Sequence, residues 1–333
     1  MDHDVEATAR DRRVSSGVRL NGTGEFGLID RMTARLPQGE ISLLGPGDDA
    51  AIVAVPDGRV VACTDALVEG RHFRRDWCDA ADVGHRAAAA NLADVAAMGA
   101  VPTALLVALC APGDLPVQWA EEFAEGVADE AGLVGASVVG GDTTSSALLT
   151  IVVTALGDLQ GRDPVVRSGA SPGDVVALAG RVGCAAAGYT VLSRGFRTPK
   201  ILVDAYRRPE VDYRAGPAAA IAGATSMIDV SDGLLADLGH IAKASEVHID
   251  VTKDAFGLPQ QLRDAARALG VDPYQWILAG GEDHALAATF PSHASLPPGW
   301  LIVGKVSRGE GVSVDGRDWV GPRGWDHFTR SGS

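Results

Sequence analysis

Lysine is nearly absent from this chain. Lys200, Lys243, Lys253 and Lys305 are the only four in 333 residues, against 43 acidic residues and a net charge of −14. That balance argues against a nucleic-acid phosphate track, which needs clustered Lys and Arg. It is compatible with a site that meets anionic phosphates through metal ions. Cysteine is also sparse, and Cys63, Cys78, Cys110 and Cys184 show no paired spacing. Neither a zinc site nor a disulfide framework is suggested. The opening residues, MDHDVEATARDRR, lack the apolar core of a signal peptide. The longest apolar run, Val95 to Ala111, is broken by Gly99 and Pro102 and is slightly short for a membrane span. These absences together predict a reduced, cytoplasmic, soluble protein with no nucleic-acid and no membrane partner.

The length suffices for two domains of ordinary size, each with its own core. GEFGLIDRMTARL carries Phe26, Ile29, Met32 and Leu36 at helical spacing. AAIVAV and RVVACTD read as two strands of a hairpin joined by a Pro-Asp-Gly turn. DVGHRAAAANLADVAAMGA is Ala-rich and ends at Gly99, which predicts a packed helix. The strand TALLVALCA, a helix over 117–133, and the strands ASVVGGD and LLTIVVTALGDL follow. Turn formers fill GRDPVVRSGASPGD, residues 161–174, the best domain boundary. Beyond it VVALAG, SMIDVSD, EVHIDVT, HALAATF and WLIVGKV read as strands, with GLLADLGHIAKAS and LPQQLRDAARALG as helices. The expectation is α+β or α/β, two tandem domains over 21–163 and 164–333, behind a polar, poorly ordered lead over 1–20.

Two phosphate-binding motifs almost form. GTGEFG matches G-x-G-x-x-G, but the residues before it, RRVSSGVRLN, are too polar for the buried strand that motif needs. GWLIVGKV is one residue short of a P-loop, with Val306 where a Ser or Thr should meet Mg²⁺. It reads as a strand.

Carboxylates recur at the ends of apolar runs. GPGDDAAIV holds Asp48 and Asp49, and Asp65 closes a β-branched run after Thr64. Asp94 sits within the Ala-rich helix, where Asp is a poor helix former and is seldom buried alone. Asp142 follows VVGG, whose glycines allow another group close to the backbone. Asp229 and Ser231 share a strand face by alternation, and Asp232 stands at the start of the next helix. Taken singly these are a turn, a strand-end cap, a solvated helix face and an N-cap. If they converge, repulsion and desolvation demand cations. Oxygen ligands without His or Cys point to Mg²⁺ before Zn²⁺, and carboxylate-held Mg²⁺ usually bridges to phosphates. Chemistry on a nucleoside triphosphate without a P-loop follows.

The blocks GEF, GDDAA, TDALVEGRHF, NLADVAAMGA, GGDTT, RSGASPGD, DVSDGLLADLGH, GGEDHAL and GWDHF run in order from Gly24 to Phe328. This set resembles the thiamine-monophosphate kinases, in the superfamily of aminoimidazole ribonucleotide synthetase. The resemblance implies an N-terminal α/β domain that dimerises through its sheet, packed on a C-terminal α/β domain. It implies ATP-dependent phosphorylation of thiamine phosphate to thiamine diphosphate with several Mg²⁺ ions, the last step of thiamine diphosphate biosynthesis. Carried over by position, the metal ligands are Asp49, Thr64, Asp65, Asp94, Asp142, Asp229 and Asp232. ATP contacts fall to Gly141, Asp142, Arg167 and Ser231, and thiamine phosphate contacts to His72, Glu282 and Trp325. Cys63 stands where Ser or Thr is common in the family, so a ligand there would be its backbone carbonyl. Aminoimidazole ribonucleotide synthetase is the runner-up enzyme, and EGRHF and GWDHF favour the kinase. A non-catalytic, nucleotide-binding module is the competing class.

Overall fold

The computed structural model describes residues 18–23, 25–46 and 50–325. The chain opens with α1 (Leu20–Thr23) and α2 (Glu25–Thr33), then β1 (Ser42–Leu44), β2 (Ile52–Val53) and β3 (Val61–Val68). Next come α3 (Ala80–Ala97), β4 (Val101–Ala111), α4 (Val117–Gly132), β5 (Ser137–Ser145) and β6 (Thr150–Asp158). β3, β6, β4 and β5 form one sheet in that order, with only the β4–β5 pair parallel.

The expected hairpin does not form. A turn does close at Gly58, whose N–H donates to Val55 O. The strands on either side of it part company: β2 pairs with β1, and β3 pairs with β6. A turn signal fixes a reversal only locally, while the long Val/Ile/Thr match along β6 decides the partner.

One face of this sheet is covered by α3 and α4. In α3, Ala87, Ala88, Ala89, Ala93 and Ala96 are fully buried, so the alanine run is a packing surface rather than a solvated face. Small side chains let backbones approach, and here Gly84 and Gly126 close the gap. A Cβ on Gly84 would stand 2.3 Å from Phe123 O, and one on Gly126 would stand 2.2 Å from Ala81 O. Asp79 and Asp82 cap α3 reciprocally through each other's backbone N–H groups.

The second half contributes β7 (Val175–Ala179), α5 (Cys184–Ser193), α6 (Lys200–Arg207), α7 (Ala215–Ile221), β8 (Ser226–Val230) and α8 (Leu234–Ser245). β9 (His248–Val251), α9 (Gln260–Leu269), α10 (Pro273–Ala279), β10 (Ala285–Phe290), β11 (Trp300–Ser307) and β12 (Gly311–Val314) follow. Their sheet runs β12-β9-β11-β7-β10-β8, antiparallel except at β12–β9. GWLIVGKV is β11 within this sheet and forms no phosphate loop.

β10 is buried on both faces and shows how the halves join. Leu286, Ala288 and Phe290 belong to the same apolar core as α3, while Ala285 and Ala287 belong to the core beneath α8 and α10. Alternation along one strand therefore serves two layers. α3 lies between the two sheets, which sets any side chain on its free edge against the end of β8.

Candidate active site

Where α3, β3 and the end of β8 meet, a cleft of about 340 Å³ opens. Asp65, Asp94, Asp229 and Asp232 line it, two from each half of the chain. His72, Arg167, Ser231 and Glu282 line it too. Eight of the positions singled out in the sequence thus share one cavity.

Asp65 lies opposite Val153 on β6, on the side of the sheet that faces α3. Its own N–H donates to Asn91 Oδ1 at 3.1 Å, and Asn91 Nδ2 donates to Ala87 O at 3.0 Å. Asn91 is wholly buried, so β3 is pinned to α3 one turn before Asp94. Cys63 Sγ donates to Asn91 O at 3.3 Å. Burial, then the charges of Asp94 and Asp65, push this thiol well above its usual range.

Asp94 carries the strain of the site. Burial first, then Asp229 and Asp65, raise its carboxyl to about 8. Beside it His284 Nδ1 lies 3.2 Å from Asp229 Oδ2. Burial opposes protonation of His284, but the hydrogen bond and charge of Asp229, with Glu282 and Asp94, outweigh it and raise its pKa.

The turn after β8 is held from both sides. Glu282 N–H donates to Ser231 O at 2.8 Å and His284 N–H to Val230 O at 3.1 Å, which extends the sheet pairing into the cleft wall. The N-cap that would explain Ser231 or Asp232 singly does not form. Gly233 is the N-cap of α8, and Asp237 Oδ2 accepts from the N–H groups of Asp232 and Gly233 at 3.1 and 3.0 Å. Asp237 is pushed up to about 7 by burial and then by Asp229, against those two donors. Trp325 backbone N–H donates to Asp232 O at 2.9 Å, which holds the chain at residue 325 next to Asp232; its side chain is half-exposed and does not line the cleft.

Three expected residues lie elsewhere in the single chain. Thr64 is on the opposite face of β3 from Asp65, where its Oγ1 donates to Val153 O and accepts from Thr154 Oγ1. Gly141 and Asp142 are on β5, at the far edge of the sheet. Three strand spacings, about 14 Å, separate them from β3. Gly141 has a packing reason of its own, since a Cβ there would stand 1.8 Å from Val107 O. The glycines of VVGG thus admit the neighbouring strand. Asp49 lies outside the described residues.

Among the described residues no three His, Cys, Asp or Glu side chains are grouped closely enough to hold a metal ion by themselves. The donor chemistry nonetheless fits Mg²⁺. That ion keeps several waters and takes one or two carboxylates together with substrate phosphates. Asp94, raised by burial and then by Asp229 and Asp65, is the lining carboxylate that a cation would relieve most.

Sequence and fold comparisons point one way. Residues 47–159 match the family described as AIR synthase related protein, N-terminal domain. Curated thiamine-monophosphate kinases of Mycobacterium tuberculosis (strain CDC 1551 / Oshkosh) and Corynebacterium glutamicum are 48% and 39% identical to this chain. The first alignment covers 93% of both chains, and the second covers 94% of this chain and 96% of its relative. The structure of AaThiL complexed with AMPPCP and TMP superposes with a TM-score of 0.77 at 34% identity, covering 94% of this chain and all of that one. The chain belongs to the thiamine-monophosphate kinase family.

Arg86, Asn91, Asp237 and His284, all buried around the cleft, were not among the positions singled out in the sequence. Arg86 and Asn91 carried a signal: they are polar residues inside an alanine run whose neighbours are fully buried. Asp237 lies inside the helix run and acts backward along the chain, on the N–H groups of Asp232 and Gly233. His284, next to Asp283 in GGEDHAL, offered none beyond the motif itself.

Proposed function

We propose that this chain transfers the γ-phosphoryl group of ATP to the phosphate of thiamine phosphate, giving thiamine diphosphate. One observation carries the reading: carboxylates from two separate sheets converge on a single cleft rimmed by Arg167, His72 and Glu282. Asp65, Asp94, Asp229 and Asp232 would hold Mg²⁺, joined by Asp49, Thr64 and Asp142. When bound, those ions neutralise the phosphates and align donor with acceptor. Arg167 and Ser231, with Gly141 and Asp142, receive ATP. A guanidinium matches phosphate geometry.

The acceptor needs no strong base, because a phosphate monoester with a second pKa near 6 is mostly dianionic at neutral pH. Transfer is direct, with no phosphoenzyme. His72 suits the acceptor phosphate as a donor. Its Nδ1 accepts the Val68 N–H at 3.0 Å, so the neutral ring keeps its proton on Nε2. Glu282 contacts thiamine, and Trp325 offers a π-face to its cationic thiazolium.

The test is incubation with Mg-ATP and thiamine phosphate, followed by separation of thiamine diphosphate. Product that requires enzyme, Mg²⁺ and ATP together supports the reading. Bound ATP with no product would overturn it and direct the search to formylglycinamidine ribonucleotide.

The domains divide at 163/164 in this reading, with 1–20 as a lead, and the enzyme is a cytoplasmic homodimer. No helix among the described residues is long and apolar enough to cross a membrane. The support for a dimer is the open face of the first sheet. Leu106 and Ala108 on β4 and Val152 and Leu156 on β6 are half-buried there, with Thr64 and Asp142 on the same face. A second copy related by a two-fold along the strands sets β5 of one chain over β3 of the other. That brings the Asp142 edge toward Thr64 and Asp65. Leu106→Asp is expected to convert the dimer to a 34.3 kDa monomer by light scattering and to cut turnover with it. An unchanged dimer would refute this face as the contact.

A further inference from the structure

Arg86 is the most deeply buried cation at the cleft, with 3% of its side chain exposed. It rises from α3, yet its partners come from three other segments. Nη2 donates to Glu282 Oε2 at 2.5 Å and to His72 O at 3.1 Å. Nη1 donates to Tyr206 O at the end of α6. The guanidinium also lies 4.5 Å over the Tyr206 ring, and Tyr206 Oη reaches His72 O at 3.5 Å. One rigid fork therefore ties the turn that carries His72 to the loop that carries Glu282, across the join between the two halves.

Arg86 thus bridges the two residues directly. Glu282 has a positive φ of 69°, and its side chain is 46% exposed toward the cleft. A non-glycine residue in that region is held there by its surroundings. The surroundings here are the Ser231 carbonyl on its N–H and Arg86 on its carboxylate. The charge matters as well as the geometry. Asp65, Asp94, Asp229 and Asp232 already make the cleft anionic, and an unpaired Glu282 would add to the repulsion of an incoming phosphate. Pairing with Arg86 cancels that charge while one carboxylate oxygen stays available to a ligand.

We propose that Arg86 is a positioning residue for the acceptor substrate: it fixes His72 and Glu282 at one separation and neutralises Glu282, and so sets affinity for thiamine phosphate but not for the nucleotide. The inference rests on the kinase reading above. Lys at this position keeps the charge but loses the two-pronged geometry, so the fork itself can be tested.

The experiment measures binding of thiamine phosphate and, separately, of a non-hydrolysable ATP analogue by calorimetry in Mg²⁺ buffer. Steady-state kinetics accompany it. The proteins are wild type, Arg86→Lys, Glu282→Gln and the double variant. Arg86→Lys is expected to weaken thiamine phosphate binding at least tenfold, with nucleotide binding within twofold and KM for thiamine phosphate raised more than kcat is lowered. In the double variant the two losses should not add, because Arg86 acts through Glu282. Unchanged thiamine phosphate affinity, additive losses, or both affinities falling in step with Tm would overturn the proposal and leave Arg86 a packing residue. Failure of the kinase reading looks different: wild type itself would then bind no thiamine phosphate and form no product.

Discussion

Asp65→Asn is expected to fold as wild type and to lose about 10²- to 10³-fold in kcat/KM, the size of effect seen when one electrostatic contact to a transition state is deleted. Asn has nearly the shape of Asp, and the strand that carries residue 65 is secured by other groups. Its N–H is held by Asn91, and β3 is in register with β6 from Val61 to Val68. Tm should therefore move by only a few degrees. What changes is one negative charge at the edge of the carboxylate group, so the Mg²⁺ concentration needed for half-maximal rate should rise. Steady-state kinetics over a Mg²⁺ series, with a thermal melt by circular dichroism, measure both. Near-normal turnover at ordinary Mg²⁺ would remove Asp65 from the metal-holding set.

That variant also tests how far local patterns in the sequence reach. Helix and strand periods placed α3, β4, α4 and the five named strands of the second half, because each is a long run whose apolar face is buried. They did not choose strand partners. β2 leaves β3 although the turn between them has hairpin chemistry, since pairing is settled by a strand 90 residues away. The carboxylates were legible for a different reason: an acid at the end of an apolar run is costly unless something compensates it, and Asp94 shows that cost directly. Gly141 and Asp142 show the limit. Their motif is as plain as the others, yet one chain leaves them on the wrong edge of the sheet for the cleft. In the proposed dimer they meet the cleft only through a second copy, which spacing within one chain does not reveal. Arg86 and Asn91 were hidden by the opposite bias, since an alanine run reads as packing and its polar members as incidental.

Asp94→Asn is expected to move activity and stability in opposite directions. In the metal-free protein Asp94 faces Asp229 and Asp65 from a largely buried position, and its carboxyl is raised from an ordinary 3.8 to about 8. An acid raised in the folded state holds its proton there while the unfolded chain has released it. Between about pH 4 and pH 8 the folded state thus binds more protons, and stability from this group falls as pH rises. Asn carries no charge to bury, so the variant should lose that slope. With metal chelated it should be more stable than wild type by about 1–3 kcal/mol, the usual size for relieving an unsatisfied buried polar group. The gain should be larger at pH 8 than at pH 5. Added Mg²⁺ should raise Tm in wild type more than in the variant, because Asp94 is the carboxylate whose charge the cation relieves. Turnover should meanwhile fall by about 10²-fold or more. Stability given up at the site of the chemistry is the expected signature of a functional carboxylate. A variant less stable than wild type at pH 8 without metal would mean that Asp94 is compensated within the fold, and that its place in the cleft is structural.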